Sequence, residues 1–160
     1  MNYAWIKRRP PTALTPIYLA AVGAHDEQGL MEGLSNEQYH LPNSLAAQVT
    51  NAARQGDAVA QEIIRWAGEE LGWLAVSVAR QIDMADKAVE IIQSGSVFEA
   101  GQAITEPMAK VALTHCPRAR LIRLDGPPVV GAVMLGMEQA HFDGYAVRPT
   151  MVRTAKDLVR

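Results

Sequence analysis

The residues with the clearest potential to contact a ligand form a short glycine turn, Gln93-Ser94-Gly95-Ser96-Val97-Phe98. The run before it, Ala88 to Gln93, is rich in branched side chains, which predicts a buried strand that enters a tight turn. At the carboxyl end of a parallel strand, a glycine lets a ligand approach the backbone, and the amides that follow point outward. An ordinary strand-to-helix turn explains the same residues, so this motif alone leaves both interpretations open.

The other side chains capable of chemistry form no recognisable site. The histidines, His25, His40, His115 and His141, have neither the i, i+4 spacing nor the partners of a metal site. Cys116 is the only cysteine, which excludes a disulfide framework, a zinc knuckle and a multi-thiolate cluster within the chain. Because no second base accompanies His115-Cys116-Pro117, packing at a helix end explains this thiol better than reactivity does. Glu62, Glu69 and Glu70 indicate a solvated helix face.

Several helices are predicted before the glycine turn. Thr15 followed by Pro16 indicates a helix start, with the threonine as N-cap, and Gly23 indicates its end. A second short helix is expected to begin after Asp26 and to finish before Pro42.

The next segment begins at Asn43 or Ser44, either of which can cap a helix, and it ends at Gln55-Gly56. Asp57 then caps a helix of up to about 25 residues, inferred from an apolar stripe at helical spacing. The stripe consists of Ala60, Ile63, Ile64, Ala67, Leu71, Leu74, Ala75, Val78 and Ile82. Trp66 and Trp73 share one face of this helix, which predicts core or an interface.

Two glycines lie within that long helix, Gly68 and Gly72, four residues apart. A glycine costs a helix roughly 1 kcal/mol relative to alanine. Two of them at this spacing therefore predict the close approach of another backbone, in a helix central to the fold.

The second half of the chain predicts a βαβ unit. The strand at Ala88–Gln93 is followed by a helix from Glu99 to about His115, with Pro107 kinking it or lying in its first turns. Arg120–Leu124 alternates like a strand, and a small-residue helix runs from Val129 to about Ala140. The two strands should be parallel, with a right-handed crossover. Residues 1–143 are expected to form one domain, and residues 144–160 a tail without clear periodicity, in part disordered.

Composition limits the classes of function. The chain has 160 residues, enough for one domain, with 49% hydrophobic and 20% charged residues, as in soluble globular proteins. A net charge of -2 offers no field that would attract nucleic acid or an anionic membrane. No run approaches the ~20 apolar residues of a membrane span, and no signal peptide is evident. With one free thiol, the expectation is a soluble, cytoplasmic protein.

Three segments in this order resemble a known family. They are Ala53-Arg54-Gln55-Gly56-Asp57-Ala58-Val59-Ala60, the turn Gln93 to Phe98, and Pro127-Pro128-Val129-Val130-Gly131-Ala132. Together they resemble the C-terminal half of BadF/BadG/BcrA/BcrD-type ATPases, most closely the N-acetylglucosamine kinase-like branch. Tyr3-Ala4-Trp5-Ile6 and Pro11-Thr12-Ala13-Leu14-Thr15 resemble the segment after that family's second phosphate loop, so the resemblance covers about residues 3 to 140.

The resemblance implies a helix-rich α/β fold, the incomplete C-terminal lobe of an actin-like (ribonuclease H-like) ATPase with a βαβ unit. It implies ATP and magnesium as cofactors, bound in the cleft between two lobes. The positions that match the nucleotide site are Gly95, Ser96 and Val97, with Asn43 and Ser44 at the start of the helix that lines the pocket. The final helix, with Gly131 and Ala132, would pack at the hinge between the lobes.

The sequence also departs from the family. The first phosphate loop, an Asp followed by glycines and a Thr, does not occur in it, and neither does the glycine-rich second loop. The family's catalytic aspartate and sugar-binding residues belong to an N-terminal lobe that has no counterpart here. Since phosphoryl transfer depends on positioning and neutralising the phosphates, this chain alone is expected to be inactive as a kinase.

Three functions therefore remain open. The first is the nucleotide-side portion of an ATP-dependent sugar kinase that transfers phosphate to an amino sugar. The second is a non-catalytic dimerisation or interaction module, or one half of a split ATPase, partnered by the missing N-terminal lobe, a separate chain or a second copy. The third is an ATPase that activates dehydratases or reductases, which needs cysteines for a bridging iron–sulfur cluster and is disfavoured by the lone Cys116.

Overall fold

Two parallel strands and seven α-helices make up the part of the chain that the computed structural model describes, residue 8 and residues 10–158. The helices are α1 (Leu14–Val22), α2 (Glu27–Ser35), α3 (Leu45–Arg54), α4 (Ala58–Gln81), α5 (Gln102–His115), α6 (Val129–Gln139) and α7 (Gly144–Leu158). The strands are β1 (Glu90–Gln93) and β2 (Arg120–Arg123), and a 3₁₀ turn at Ser96–Ala100 joins β1 to α5. The predicted helix-rich α/β class is confirmed.

The predicted βαβ unit is present. Strand β1 pairs with β2 in parallel register, Ile91 opposite Leu121 and Ile92 opposite Ile122, and α5 connects the two strands. On one face of this small sheet, Ile91 packs against the ends of α4 and α5. On the other face, Ile92 is 52% exposed and Ile122 is 37% exposed.

Helices α4 and α5 cross at very short distance, as the two glycines predicted. A Cβ atom added to Gly68 would lie 2.5 Å from the carbonyl oxygen of Ile104, and one added to Gly72 would lie 2.8 Å from that of Met108. Carbon atoms do not approach oxygen so closely without displacement, so only glycine fits at this crossing. Pro107 lies inside α5 at the same contact, against Gly68.

The main core lies at the amino-terminal half of α4. Its buried residues come from α1, α3, α4 and α5, and they are Leu14, Val49, Ala52, Ala53, Ala60, Ile64 and Ile104. A second, smaller cluster joins the carboxyl ends of α4 and α5 to the sheet through Val76, Ala79, Cys116 and Ala119. Cys116 is fully buried there, which fits the packing role that its context favoured.

The apolar stripe predicted along α4 is buried over only part of its length. Ala60 and Ile64 are buried, whereas Leu74 is 62% exposed, Val78 is 48% exposed and Ile82 is 57% exposed. The physical reason is that α1 and α3 pack against the first turns of the 24-residue helix, and the stripe continues beyond them.

The helix starts were predicted to within a few residues. Asp26 caps α2 by accepting a hydrogen bond from the Gly29 amide at 2.8 Å, and Asp57 caps α4 through the Ala60 amide at 2.9 Å. Thr15 is not the N-cap of α1, because that helix begins at Leu14, two residues before Pro16, and Ala13 occupies the cap position. The buried Thr12 hydroxyl instead accepts a hydrogen bond from the Leu14 amide, at 3.2 Å.

The expectation of an irregular, partly disordered tail is wrong for residues 144–158, which form α7. Asp143 precedes this helix and accepts hydrogen bonds from the amides of Tyr145 and Ala146, at 2.9 and 3.3 Å. Arg148 pairs with Asp125 at 2.7 Å, which ties the helix back to the loop after β2. Asp143 is therefore the sequence signal for the start of α7, a helix that shows no clear apolar period.

Within the described residues, none of the helices combines the length and apolar character needed to cross a membrane.

Candidate functional site

A cleft of about 1110 Å³ opens between the start of α3, the second and third turns of α4 and the 3₁₀ turn after β1. Its walls include Leu45, Val49, Ile63, Ile64, Ala67 and Ile104, so much of the lining is apolar. Polar groups gather where the walls meet solvent, chiefly Asn43, Ser44, Thr50 and Asn51. A mostly apolar lining with a few polar groups is typical of small-molecule sites, and the volume lies slightly above their usual range of roughly 300–1,000 Å³.

Four of the five residues predicted to contact nucleotide line this one cleft. Asn43 and Ser44 lie at the start of α3, on one wall, and Ser96 and Val97 lie in the 3₁₀ turn, on another. Gly95 is not among the lining residues and lies immediately before them. The fold therefore brings together two segments that are far apart in sequence.

The glycine turn has a conformation that requires glycine. Gly95 has φ 106° and ψ 163°, a region that side-chain-bearing residues rarely adopt. Arg123 at the end of β2 donates hydrogen bonds to the carbonyl oxygens of Gln93 and Gly95, at 3.2 and 3.1 Å. Its guanidinium group also lies 5.3 Å from the centre of the Phe98 ring. Arg123 thus holds the turn in shape, a role that the sequence does not reveal because the contact is made across the sheet.

Replacing Gly95 with alanine should strain this turn. We expect Gly95→Ala to lower the free energy of unfolding by about 1–3 kcal/mol, the usual cost of forcing a side chain into such a backbone conformation. Urea unfolding followed by circular dichroism measures the change, with the exposed neighbour Ser94→Ala as the control. Equal stability of the two variants would show that the turn tolerates a side chain at this position.

The start of α3 presents side chains, not free amides, to the cleft. Ser44 occupies the cap position but makes no side-chain capping bond. The amides of Leu45 and Ala46 donate to the carbonyl oxygens of Pro42 and Asn43, at 3.0 and 3.1 Å. Because these donors are engaged in tight turns, the side chains of Asn43 and Ser44 are the groups available to a ligand on this wall.

The cleft has little charge. Of the residues that line it, only Arg54 and Glu99 carry charged side chains, and Arg54 donates a hydrogen bond to the Glu99 carbonyl oxygen at 2.8 Å. Tyr18 also lines the cleft, and burial raises the pKa of its phenol above the ordinary value, so this group adds no charge to the lining. Such a lining suits a flat, uncharged ligand group better than a polyphosphate.

A second, smaller cavity of about 570 Å³ lies beside the first and shares Arg54 with it. It holds Arg65, which pairs with Glu69 at 2.6 Å, and also Glu106 and Lys110.

Among the described residues, no three histidine, cysteine, aspartate or glutamate side chains come together in a way that could hold a metal ion.

The three motif segments occupy defined places in the fold. The first joins α3 to α4, the second is the turn after β1, and the third opens α6, where a Cβ atom added to Gly131 would meet open space. Tyr3-Ala4-Trp5-Ile6 lies outside the described residues.

In comparisons with protein-family models and with curated proteins, no family model and no curated sequence matches this chain.

Proposed function

We propose that the cleft binds the adenosine portion of ATP. In this proposal the chain is the nucleotide-side C-terminal portion of an ATP-dependent sugar kinase of the BadF/BadG/BcrA/BcrD type, resembling N-acetylglucosamine kinase. The observation that carries it is that Asn43 and Ser44 line the same cleft as Ser96 and Val97. These are the two segments that the motif resemblance assigns to the nucleotide.

The chemistry of the cleft agrees with a nucleoside. The apolar walls formed by side chains such as Val49, Ile63 and Val97 suit an aromatic base, which gains free energy when its faces leave water. The hydroxyl and amide groups of Ser44 and Asn43 at the rim suit ribose hydroxyls, which need hydrogen-bond partners once desolvated.

The phosphates would extend away from these walls. In the family's reaction the γ-phosphate of ATP would move to an amino-sugar hydroxyl, with phosphate loops to position it and magnesium to neutralise its charge. The Asp-and-glycine loop for that task does not occur in this sequence. The proposal therefore includes binding without transfer: this chain alone holds adenosine, and transfer requires an N-terminal lobe or a partner chain. A cytoplasmic location, where ATP is available, belongs to the same proposal.

Isothermal titration with adenosine and with ATP plus magnesium tests this function. We expect both ligands to bind weakly and with similar affinity, because the contacts in the cleft are made to the nucleoside. Ala46→Trp should weaken both by at least about tenfold, since Ala46 lines the cleft and the indole would fill it.

The matched control is Gln48→Trp, an exposed position on the same helix that does not line the cleft. It should leave both affinities unchanged. Absence of adenosine binding by the unaltered chain, or equal affinities of the two tryptophan variants, would contradict the proposal.

A second candidate function, an interaction module or half of a split ATPase, is favoured by the sheet. Parallel sheets are normally covered on both faces, yet Ile92 and Ile122 are 52% and 37% exposed. A partner chain or an N-terminal lobe that covers them would account for this. Gel filtration distinguishes the two candidates, because a clean monomer that binds adenosine would favour the nucleotide site.

The fully buried Cys116 lends no support to a cluster-bearing activating ATPase.

A further inference from the structure

We infer that the 3₁₀ turn Ser96–Ala100 is a lid over the cleft, with glycine hinges at its two ends and an arginine that fastens it. The inference rests on the proposed nucleotide site, because the lid forms one wall of that site. Four of the five lid residues line the cleft, and they are Ser96, Val97, Glu99 and Ala100. A movement of this segment would therefore change both the shape of the cleft and the access to it.

Glycines with unusual backbone conformations stand at both ends of the lid. Gly95 has φ 106° and ψ 163°, and Gly101 has φ 70° and ψ -141°. A Cβ atom added to either glycine would meet no atom of a non-neighbouring residue within 4 Å, so the backbone conformation calls for glycine here and lack of space does not. Hinges consist of a few such terminal residues, which absorb changes in φ and ψ while the segment between them moves.

The lid has few buried contacts with the rest of the chain. None of its residues is buried, and two of them, Phe98 and Ala100, are partly buried against the main core. The Phe98 ring does not line the cleft and lies instead beside the Arg123 guanidinium group. Local opening is least costly where few apolar contacts are lost. The lid is therefore a segment that can separate from the core while the domain stays folded.

Arg54 fastens the lid to α3, which forms another wall of the cleft. Its guanidinium group, at the carboxyl end of α3, donates a hydrogen bond to the Glu99 carbonyl oxygen at 2.8 Å. Arg123 acts elsewhere, because it bonds to the carbonyl oxygens of Gln93 and Gly95, which precede the lid. Arg54 is exposed, so water can replace either partner of its bond and the fastening is reversible.

The second cavity gives the released Arg54 side chain a place. Arg54 lines both cavities, and the second one also contains the carboxylates of Glu69 and Glu106. A guanidinium group that leaves the Glu99 carbonyl oxygen would thus move toward acidic groups. Opening would carry the lid away from the other walls, so adenosine would lose part of its site. We therefore expect adenosine to favour the closed lid.

Thiol labelling measures the opening of the lid without any ligand. Because the natural Cys116 is fully buried, a cysteine introduced by Ala100→Cys is the thiol that reacts with dithionitrobenzoate. Ala100 is partly buried while the lid is closed, so labelling there reports opening. In this background we expect Arg54→Met to speed labelling by at least about tenfold, since the bond to the lid is lost. Arg54→Lys keeps a donor and should restore slow labelling.

Arg65→Met is the matched control, since Arg65 lines the second cavity as Arg54 does but pairs with Glu69. It should leave the labelling rate of Ala100→Cys unchanged. The urea unfolding midpoints of Arg54→Met and Arg65→Met should agree, which separates lid opening from a loss of overall stability. Equal labelling rates in these two variants would overturn the inference.

Adenosine titration connects the lid with the nucleotide. Arg54→Met should bind adenosine at least about tenfold more weakly than Arg65→Met, because the apparent affinity falls with the fraction of closed lid. Arg54→Lys should recover most of this affinity, and adenosine should slow the labelling of Ala100→Cys. Unchanged affinity in Arg54→Met would show that the lid does not close on the nucleoside. If the unaltered chain binds no adenosine, the nucleotide proposal fails, whereas the labelling rates still decide whether the lid opens.

Discussion

Gly68→Ala should destabilise this protein by about 3 kcal/mol, a large part of the stability of a domain of this size. The added methyl group would lie 2.5 Å from the Ile104 carbonyl oxygen and 2.7 Å from the Pro107 ring. Neither neighbour is the free end of a flexible side chain, so α4 and α5 must move apart. In an unobstructed helix the same substitution stabilises by up to about 1 kcal/mol, so the steric cost exceeds the gain in helix propensity.

Gly131→Ala is the matched control. Gly131 lies within a helix, as Gly68 does, but a Cβ atom added there would meet nothing within 4 Å. We expect this variant to be as stable as the unaltered chain or more stable by up to about 1 kcal/mol. Urea unfolding measures both. Equal stabilities of Gly68→Ala and Gly131→Ala would mean that the two helices do not cross as closely as described.

Asp57→Ala should cost about 3 kcal/mol, because this carboxylate joins the start of α4 to the residues before α1. It accepts hydrogen bonds from the Ala60 amide at 2.9 Å, the Ala13 amide at 2.7 Å and the Thr12 hydroxyl at 2.9 Å. Loss of a helix cap costs about 1–2 kcal/mol, and the buried Thr12 hydroxyl would also lose its acceptor.

Asp26→Ala is the matched control, because Asp26 caps α2 through a single amide, that of Gly29. It should cost about 1 kcal/mol, as a simple cap does. If both variants lose the same stability in urea unfolding, the long-range contacts of Asp57 contribute nothing and its role is that of a local cap.

Asp57 should also make stability depend on pH. Burial by itself would raise the pKa of Asp57, but hydrogen bonds from the amides of Ala60 and Ala13 and from the Thr12 hydroxyl outweigh it and lower the pKa. A carboxylate with a lowered pKa in the folded state contributes its stabilisation fully above its ordinary pKa of about 4, and loses it as the pH falls through the folded value. Asp57→Asn should therefore flatten the acid side of the stability profile. A profile unchanged by this substitution would contradict that assignment.

The sequence by itself determined the local structure of this protein. Spacing of apolar residues and caps such as Asp26 and Asp57 predicted most helices, and branched residues before Ser94 predicted β1 in a parallel βαβ unit. The glycine pair at Gly68 and Gly72 even predicted a tertiary contact, because glycine inside a long helix is costly unless a backbone comes close. Caps and apolar spacing depend on neighbouring residues, and the glycine pair has an energetic cost that demands an explanation. For this reason these features can be predicted from one amino-acid sequence.

Only the tertiary structure decided which apolar surfaces are covered and which segments meet. Ile64 and Leu74 belong to the same apolar stripe of α4, yet the first is 6% exposed and the second 62%, because α1 and α3 cover only the amino-terminal end of this helix. The bond from Arg123 to the Gly95 carbonyl likewise depends on the pairing of two strands. The placement of Ser44 and Ser96 at one cleft was anticipated from the motif resemblance and not from spacing, since burial and long-range contact depend on the path of the whole chain.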